Sequence, residues 1–185
     1  MISTITIPIR DALDGEDTLA GYLRGEAARP RLDREVRAAQ PGSILLLDLD
    51  GIAILTSSYF LASLWRAFWD TSMVLENDLY PILYRPSLDV AEEIEMVLRE
   101  RGAPALFGSG TTNNLTVRPY NLDLPASETL DLVTELGQAT AADLFERKKD
   151  IGQTAWNNRL ALLHRQRILR REKMGRHLVY APCWT

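Results

Sequence analysis

The sequence has a single cysteine, Cys183, and two histidines, His164 and His177, among its 185 residues. One cysteine excludes an internal disulfide framework and any metal site built from several thiolates. Neither histidine belongs to a cluster of cysteines or carboxylates at metal-ligand spacing. The sequence therefore predicts no bound metal and no cofactor.

Long hydrophobic runs are also missing. Asp48 and Asp50 interrupt the most apolar stretch, so no window approaches the roughly 18 apolar residues that a membrane span requires. Residues 1–4 carry no basic flank ahead of a long apolar segment, which argues against a signal peptide. We therefore expect a cytoplasmic protein that does not enter a membrane.

Lysine is absent from the first 147 residues. Residues 1–146 contain 11 arginines and 23 acidic residues, a net charge of −12, whereas residues 147–185 contain ten basic and two acidic residues, a net charge of +8. Such an asymmetry of sign indicates that the C-terminal segment binds a polyanion while the rest does not. A solvated basic helix would have the same charge, so the residue pattern has to distinguish the two.

The composition, 46% hydrophobic and 25% charged, is that of a packed globular protein with one large domain or two small ones. Apolar runs predict strands at 2–9 (near a sheet edge), 43–49, 80–84 and 103–107. Helical spacing predicts helices at 16–27 and 31–40, separated by Pro30, and further helices after Thr56 and from Ser87. This order predicts an α/β fold.

The most polar and turn-rich stretch, residues 108–114, predicts the end of a first domain that covers residues 1–110. Residues 111–124 are predicted to be a linker or an extra strand. In residues 125–185, three helical segments separated by Gly137 and Gly152 precede two short strands around a turn. A second, small α+β domain is predicted there.

Three features follow one another along the chain within that second domain. They are the pair Leu160 and Leu163 in the last helix, the pair Ile168 and Leu169 at the first strand, and Gly175-Arg176 before the second strand. In this order they resemble the winged helix-turn-helix domains of bacterial transcription factors. Arg167 departs from the pattern, because many members have glycine there. The resemblance implies binding to duplex DNA.

A helix that enters the major groove needs polar side chains on the exposed face of its first turns. The predicted DNA-reading residues are Gln153, Thr154, Asn157, Asn158 and Arg159. Asparagine and glutamine suit adenine, and arginine suits guanine. The predicted wing residues, which would contact phosphates or the minor groove, are Arg170, Arg171, Lys173, Arg176 and His177.

A second series of residues stands out in the first domain. It consists of Asp48, Gly51, Ile52, Ile54, Leu55, Ser57 and Ser58. The series resembles the STAS domain of anti-sigma-factor antagonists, although Thr56 and Tyr59 replace the aspartate and glycine that flank the serines in that family. The resemblance implies a mixed sheet with helices and implies partner binding, and a serine at this helix start is a kinase target in the family. Ser57 and Ser58 are therefore candidate partner-binding or phosphorylation sites, unless they only cap the helix.

The sequence Asp48-Leu49-Asp50-Gly51 also resembles the motif of HAD phosphatases, in which the first aspartate is a nucleophile and the second an acid/base. Ile52 stands where threonine is usual, no lysine precedes residue 148, and no acidic pair for Mg²⁺ follows. A phosphohydrolase is accordingly a distant alternative, and no enzyme activity is predicted.

Together these patterns predict a bacterial DNA-binding regulator with a STAS-like domain that binds a partner, senses a signal or dimerises. The expected partners are duplex DNA and a regulatory protein or kinase. A homodimer would present two recognition helices to half-sites about one helical turn apart. The alternative is a protein-interaction module that binds no DNA.

Overall fold

The computed structural model describes residues 3–71 and 78–185 of the chain. The chain divides into two compact units, Met1–Asn121 and Leu122–Thr185. Among the helices of the described residues, none is both long and apolar enough to span a bilayer.

The strands of the first unit are β1 (Thr4–Pro8), β2 (Thr18–Leu19), β3 (Ile44–Asp48), β4 (Ile54–Leu55), β5 (Tyr80–Tyr84), β6 (Ala105–Thr111) and β7 (Asn114–Tyr120). Five of them form one sheet with the order β1-β3-β5-β6-β7. The first four strands of this sheet are parallel, and β7 is antiparallel to β6. β2 and β4 form a separate parallel pair. The predicted α/β class with a mixed sheet is thereby confirmed.

In the described part of the first unit, the α-helices are α1 (Ile9–Ala12), α2 (Tyr22–Ala38), α3 (Ser57–Phe60) and α4 (Leu88–Arg101). A π-helix, Leu61–Thr71, directly continues α3. Ser87 caps α4 by accepting a hydrogen bond from the Val90 N–H, and Gly102 ends it with a φ of 61°. The core lies between these helices and the sheet, and its members include Leu32, Leu47, Phe68, Leu83, Ile94 and Phe107.

The structure corrects the prediction of two helices at 16–27 and 31–40. Residues 18–19 form β2, and one helix, α2, runs through Pro30. Proline inside a helix costs about 3 kcal/mol, because it removes a backbone donor and crowds the preceding turn. Leu32 and Val36 are fully buried beyond it. Burying two such side chains contributes about 3–6 kcal/mol, so packing outweighs the local effect of proline.

The polar stretch 108–114, predicted to end the first domain at residue 110, forms the adjoining ends of β6 and β7. These strands pair from Ala105 with Tyr120 to Thr111 with Asn114. Gly110 has a φ of 89°, and a Cβ there would lie 2.4 Å from the carbonyl oxygen of Asn114. The first unit therefore continues through β7 and ends after residue 121.

Asn121, directly after β7, links this strand to the end of α4 through side-chain hydrogen bonds. Its side-chain amide donates to the carbonyl oxygens of Leu98 (2.9 Å) and Ala103 (3.0 Å), and its φ is 60°. We expect Asn121→Ala to lower the free energy of unfolding by about 2–4 kcal/mol, because two carbonyls lose a donor and alanine is strained at positive φ. Asn121→Gly should cost about 1 kcal/mol less, since glycine tolerates this φ. Urea denaturation measures both losses, and equal losses would contradict the role of strain.

The second unit contains α5 (Leu124–Leu136), α6 (Ala141–Arg147) and α7 (Gln153–Arg165), followed by the antiparallel hairpin of β8 (Leu169–Met174) and β9 (His177–Pro182). Asp123 caps α5 and Thr140 caps α6, each by accepting a backbone N–H. The buried apolar side chains of this unit include Leu130, Val133, Leu144, Trp156, Leu160, Leu163, Leu169 and Tyr180.

Arg167 lies at the junction between α7 and β8, where the winged-helix pattern often has glycine. The residue is buried and has a φ of 63°. The backbone therefore adopts the left-handed conformation that glycine favours, although the residue is an arginine. The difference in residue type does not remove the turn.

Candidate functional site

Helix α7 has a polar surface along its first turns. Four of the residues predicted to read DNA are exposed on it: Gln153, Thr154, Asn157 and Asn158. The opposite side of the helix is buried and carries Trp156, Leu160 and Leu163. The 3.6-residue period of an α-helix produces this division, so an exposed polar surface and a packed apolar surface share one helix.

Arg159, the fifth predicted reading residue, lies on the flank of α7. Its guanidinium stacks over the Trp156 ring, 5.2 Å from the centroid, and its Nη1 lies 4.0 Å from Glu128 Oε2 on α5. Only 27% of the side chain is exposed. These contacts hold the Arg159 side chain against α5 and α7. A side chain that reads a base has to be exposed, so the position of Arg159 does not fit the predicted role.

The β8–β9 hairpin carries three exposed basic side chains, here called the hairpin cations: Arg171, Lys173 and Arg176. None of the three forms an ion pair or a side-chain hydrogen bond with another residue in the described part of the chain. His177 is exposed at the start of β9. Arg170 differs, because its Nη1 donates to Glu172 Oε1 at 2.5 Å and only 23% of its side chain is exposed. The uncompensated charge of the hairpin therefore lies toward its turn.

A cavity of about 270 Å³ joins the polar surface of α7 to the hairpin. Gln153 and Asn157 line it from α7, and Arg176 and His177 line it from the hairpin turn. Thr140, at the start of α6, completes this side of the cavity. Amides that can contact base edges and a guanidinium that can contact phosphate thus face one concave surface.

Three other basic residues of the second unit have acidic partners. The pairs are Arg147 with Glu135, Lys148 with Glu128 at 3.5 Å, and Lys149 with Glu146 at 3.2 Å. Their charges are locally balanced, unlike those of the hairpin cations. Among the described residues 147–185, the exposed basic side chains without an acidic partner are therefore the hairpin cations and Arg165 at the end of α7.

In the first unit, Thr56 caps the serine-bearing helix α3, because its hydroxyl accepts a hydrogen bond from the Tyr59 N–H at 3.4 Å. Ser57 and Ser58 lie within the first turn and are partly buried. The Ser57 N–H donates to Glu93 Oε1 at 2.9 Å, and Ser58 Oγ lies 3.3 Å from Thr56 Oγ1. The expectation that the serines themselves cap the helix is wrong, since Thr56 does so.

Two exposed apolar side chains lie near this helix start. Ile54, two residues before Thr56, is 51% exposed, and Leu88, next to Asp89, is 83% exposed. Ile54, Thr56, Asp89 and Glu93 also line a cavity of about 260 Å³. The surface combines apolar groups with two carboxylates, which suits a partner that presents apolar and basic groups.

Asp48 and Asp50 both face one arginine. Arg85 donates from Nε and Nη2 to the two carboxylate oxygens of Asp48, at 3.2 and 2.5 Å, and its Nη1 lies 3.7 Å from Asp50 Oδ2. The hydrogen bond with the Asp48 carboxylate raises the pKa of Arg85. Within residues 3–71 and 78–185, no three His, Cys, Asp or Glu side chains group together as a metal site. Asp48 thus links the ends of β3 and β5.

Sequence reasoning did not identify Arg85 or Glu93. Arg85 directly follows β5, and Asp48 ends the neighbouring parallel strand β3. The carboxyl ends of parallel strands share one edge of a sheet, so the strand order carried a signal for this pair. Glu93 had no such signal, because its bond to Ser57 depends on how α4 packs beside α3.

Two candidate surfaces therefore emerge: the α7–hairpin surface of the second unit and the start of α3 in the first. Both are defined by exposure, charge and hydrogen bonding. No protein-family model matches the chain, and searches of curated proteins and of solved structures find no similar protein.

Proposed function

We propose that this protein is a DNA-binding regulator. The second unit reads duplex DNA as a winged helix, and the first is a STAS-like module that binds a partner, senses a signal or dimerises. The observation that carries the proposal is the concave surface shared by α7 and the hairpin, where the exposed amides Gln153 and Asn157 lie beside Arg176, one of the hairpin cations. Cations without acidic partners attract a polyanion, and amides discriminate between bases.

In this proposal α7 enters the major groove, and Gln153 and Asn157 contact base edges. The hairpin cations contact the phosphate backbone on either side of the groove. Arg176 occupies the tight turn between the paired residues Met174 and His177 and lines the cavity that Gln153 and Asn157 also line. A guanidinium in such a position suits a narrow minor groove.

Fluorescence anisotropy of the full-length protein tests the proposal. The probe is a labelled duplex from the region upstream of the protein's own gene, titrated against scrambled competitor between roughly 50 and 200 mM salt. We expect competitor-resistant binding whose affinity falls steeply as the salt concentration rises. No binding at the lowest salt concentration would contradict the proposal.

Asn157→Ala distinguishes the reading of a base from sequence-independent electrostatic attraction to DNA. We expect it to weaken binding to the preferred duplex by about 1–3 kcal/mol and to leave binding to scrambled duplex unchanged, because a base contact carries the sequence information. Asn113→Ala, in the exposed turn of the first unit, is a matched control and should change neither value. Equal weakening on both duplexes would show that Asn157 does not read a base.

Protein docking without DNA is the second candidate function, and the exposed Ile54 and Leu88 near the start of α3 favour it. A phosphate on Ser57 or Ser58 would lie beside the Glu93 carboxylate that accepts the Ser57 N–H. Like-charge repulsion would then break this hydrogen bond and change the surface that a partner meets. If the full-length protein binds no DNA, this surface becomes the leading functional site.

A further inference from the structure

A cleft of about 160 Å³ opens beside α2 and the start of α3 in the first unit. Arg24 and Arg31 line it from α2, and they lie seven residues apart, which places them on the same side of the helix two turns from each other. The small side chain of Ala28 lies between them and leaves the space open. Glu16 and Tyr59 line the cleft from the neighbouring segments.

Tyr59 is the most informative side chain of the cleft. Only 1% of the residue is exposed, yet its hydroxyl makes no hydrogen bond with any residue that the structure describes. Burial and the nearby Glu16 carboxylate raise the pKa of Tyr59, whereas Arg24 and Arg31 lower it. The hydroxyl is therefore close to all three charged groups, and it stays protonated at neutral pH. The hydroxyl is not among the fully buried polar atoms of the described residues, so on the wall of the cleft it is free to donate to a ligand.

The position of Tyr59 is fixed by the close packing of α2 on α3. A Cβ added to Gly25 would lie 2.9 Å from the carbonyl oxygen of Tyr59 and 2.9 Å from the Cβ of Ala62. The glycine lets the two helices approach to backbone contact, so the donor and the two arginines belong to firmly packed elements. Such a preformed concave surface with convergent polar groups is typical of a small-molecule site.

The charged walls of the cleft are available to a ligand. Arg24 pairs with Glu16, with side chains that are 54% and 48% exposed, and Arg31 pairs with Asp14, with side chains that are 44% and 73% exposed. Ion pairs between such exposed groups are weak, so a bound anion can replace either acidic partner. A planar guanidinium matches a carboxylate through two parallel hydrogen bonds, which favours a carboxylate over other anions.

We propose that this cleft binds a small carboxylate, which Arg24 and Arg31 hold while one of its oxygens accepts the hydrogen bond of the Tyr59 hydroxyl. The cleft is open to solvent and its volume is about 160 Å³, which suits a small ligand. Leu13 and Ala28 contact its short hydrocarbon part. A plain carboxylate and a small amino acid share this chemistry, and in the second case Glu16 pairs with the ammonium group. The proposal does not rest on DNA binding.

Isothermal titration calorimetry of the full-length protein tests the proposal with three probes at constant ionic strength: propionate, alanine and propionamide. We expect one of the two carboxylates to bind, and the uncharged propionamide to give no heat of binding. Binding of propionate alone identifies a plain carboxylate site, and binding of alanine alone identifies an amino-acid site. Absence of binding by both carboxylates, or equal binding of propionamide, would overturn the proposal.

Variants then locate the binding in this cleft. Tyr59→Phe keeps the buried ring and removes the hydroxyl, so the affinity for the bound carboxylate should fall at least about tenfold, as for a hydrogen bond to a charged group. Arg31→Gln should have an effect of at least the same size. Arg34→Gln, an exposed arginine on the same helix outside the cleft, is the matched control and should leave the affinity unchanged. If Tyr59→Phe and Arg31→Gln both bind like the natural protein, the carboxylate binds elsewhere and the assignment is wrong.

Discussion

Replacing the three hairpin cations with alanine together is expected to lower the salt slope of DNA binding by about 2.7, at about 0.9 for each phosphate that is no longer neutralised. Arg171, Lys173 and Arg176 are exposed and have no acidic partners within the described residues, so each is free to displace a counterion from DNA. Between roughly 50 and 200 mM salt, the natural protein should therefore lose about fortyfold more affinity than the variant. Anisotropy titrations at several salt concentrations give both slopes.

A matched triple variant is available in the same unit. Arg147, Lys148 and Lys149 are also basic, but each has an acidic partner at Glu135, Glu128 or Glu146. Replacing these three with alanine removes the same formal charge and should leave the salt slope nearly unchanged, because they contact no phosphate in the proposed complex. Equal effects of the two triple variants would mean that net charge, and not the hairpin surface, determines binding.

The second large effect is expected at Trp156, the largest fully buried side chain of the second unit. Trp156→Ala should cost about 3–5 kcal/mol, because it leaves a cavity in the core and removes the ring on which Arg159 stacks. A unit of roughly 60 residues has a total stability of only about 3–10 kcal/mol. Hydrogen exchange followed by mass spectrometry should therefore show reduced protection in peptides from 122–185 and unchanged protection in peptides from 3–71.

Trp156→Phe is the control for this substitution. It keeps most of the buried ring, and it removes the Trp156 Nε1 donor, which is buried and has no hydrogen-bond partner among the residues that the structure describes. Removal of an unsatisfied donor offsets part of the weaker packing, so the net cost should be about 1–2 kcal/mol. If phenylalanine and alanine reduce protection equally, the ring volume does not determine the stability of the unit.

Elements whose ends carry local signals are predictable from the sequence. β5 occupies residues 80–84, as the apolar run predicts, and α4 begins directly after Ser87, where the sequence predicts the start of a helix, and is ended by Gly102. A hydroxyl cap and a left-handed glycine act on neighbouring residues, so the information they carry is local. The exposed amides of α7 follow from the helical period in the same way.

Elements that depend on distant contacts are less predictable. Pro30 indicates a break, but burial of Leu32 and Val36 keeps α2 continuous. The residues from 108 to 111 look like a loop until β7 supplies their hydrogen-bonding partner. Arg159 carries no local sign that Glu128, 31 positions earlier in the chain, lies beside it.

The candidate surfaces also have some features that the local sequence predicts and others that depend on distant contacts. Residue type and spacing predict that α7 is polar and that the hairpin is basic. Which cations keep their charge uncompensated depends on where the acidic residues of α5 and α6 lie after folding. The Tyr59 cleft is a stronger case, because its donor lies on α3 whereas its arginines lie on α2, a separate segment of the chain that packs closely on α3 at Gly25.

The position of Gly110, near the turn between β6 and β7, has a consequence at the level of the gene. Every amino acid that a single base change can reach from a glycine codon carries a Cβ, and at this position a Cβ would meet the carbonyl oxygen of Asn114 at 2.4 Å. Random missense changes at this codon therefore all damage the β6–β7 turn, and no conservative replacement is accessible. Among descendants of this gene that keep the strand β7, we expect the codon to vary only at its silent third base.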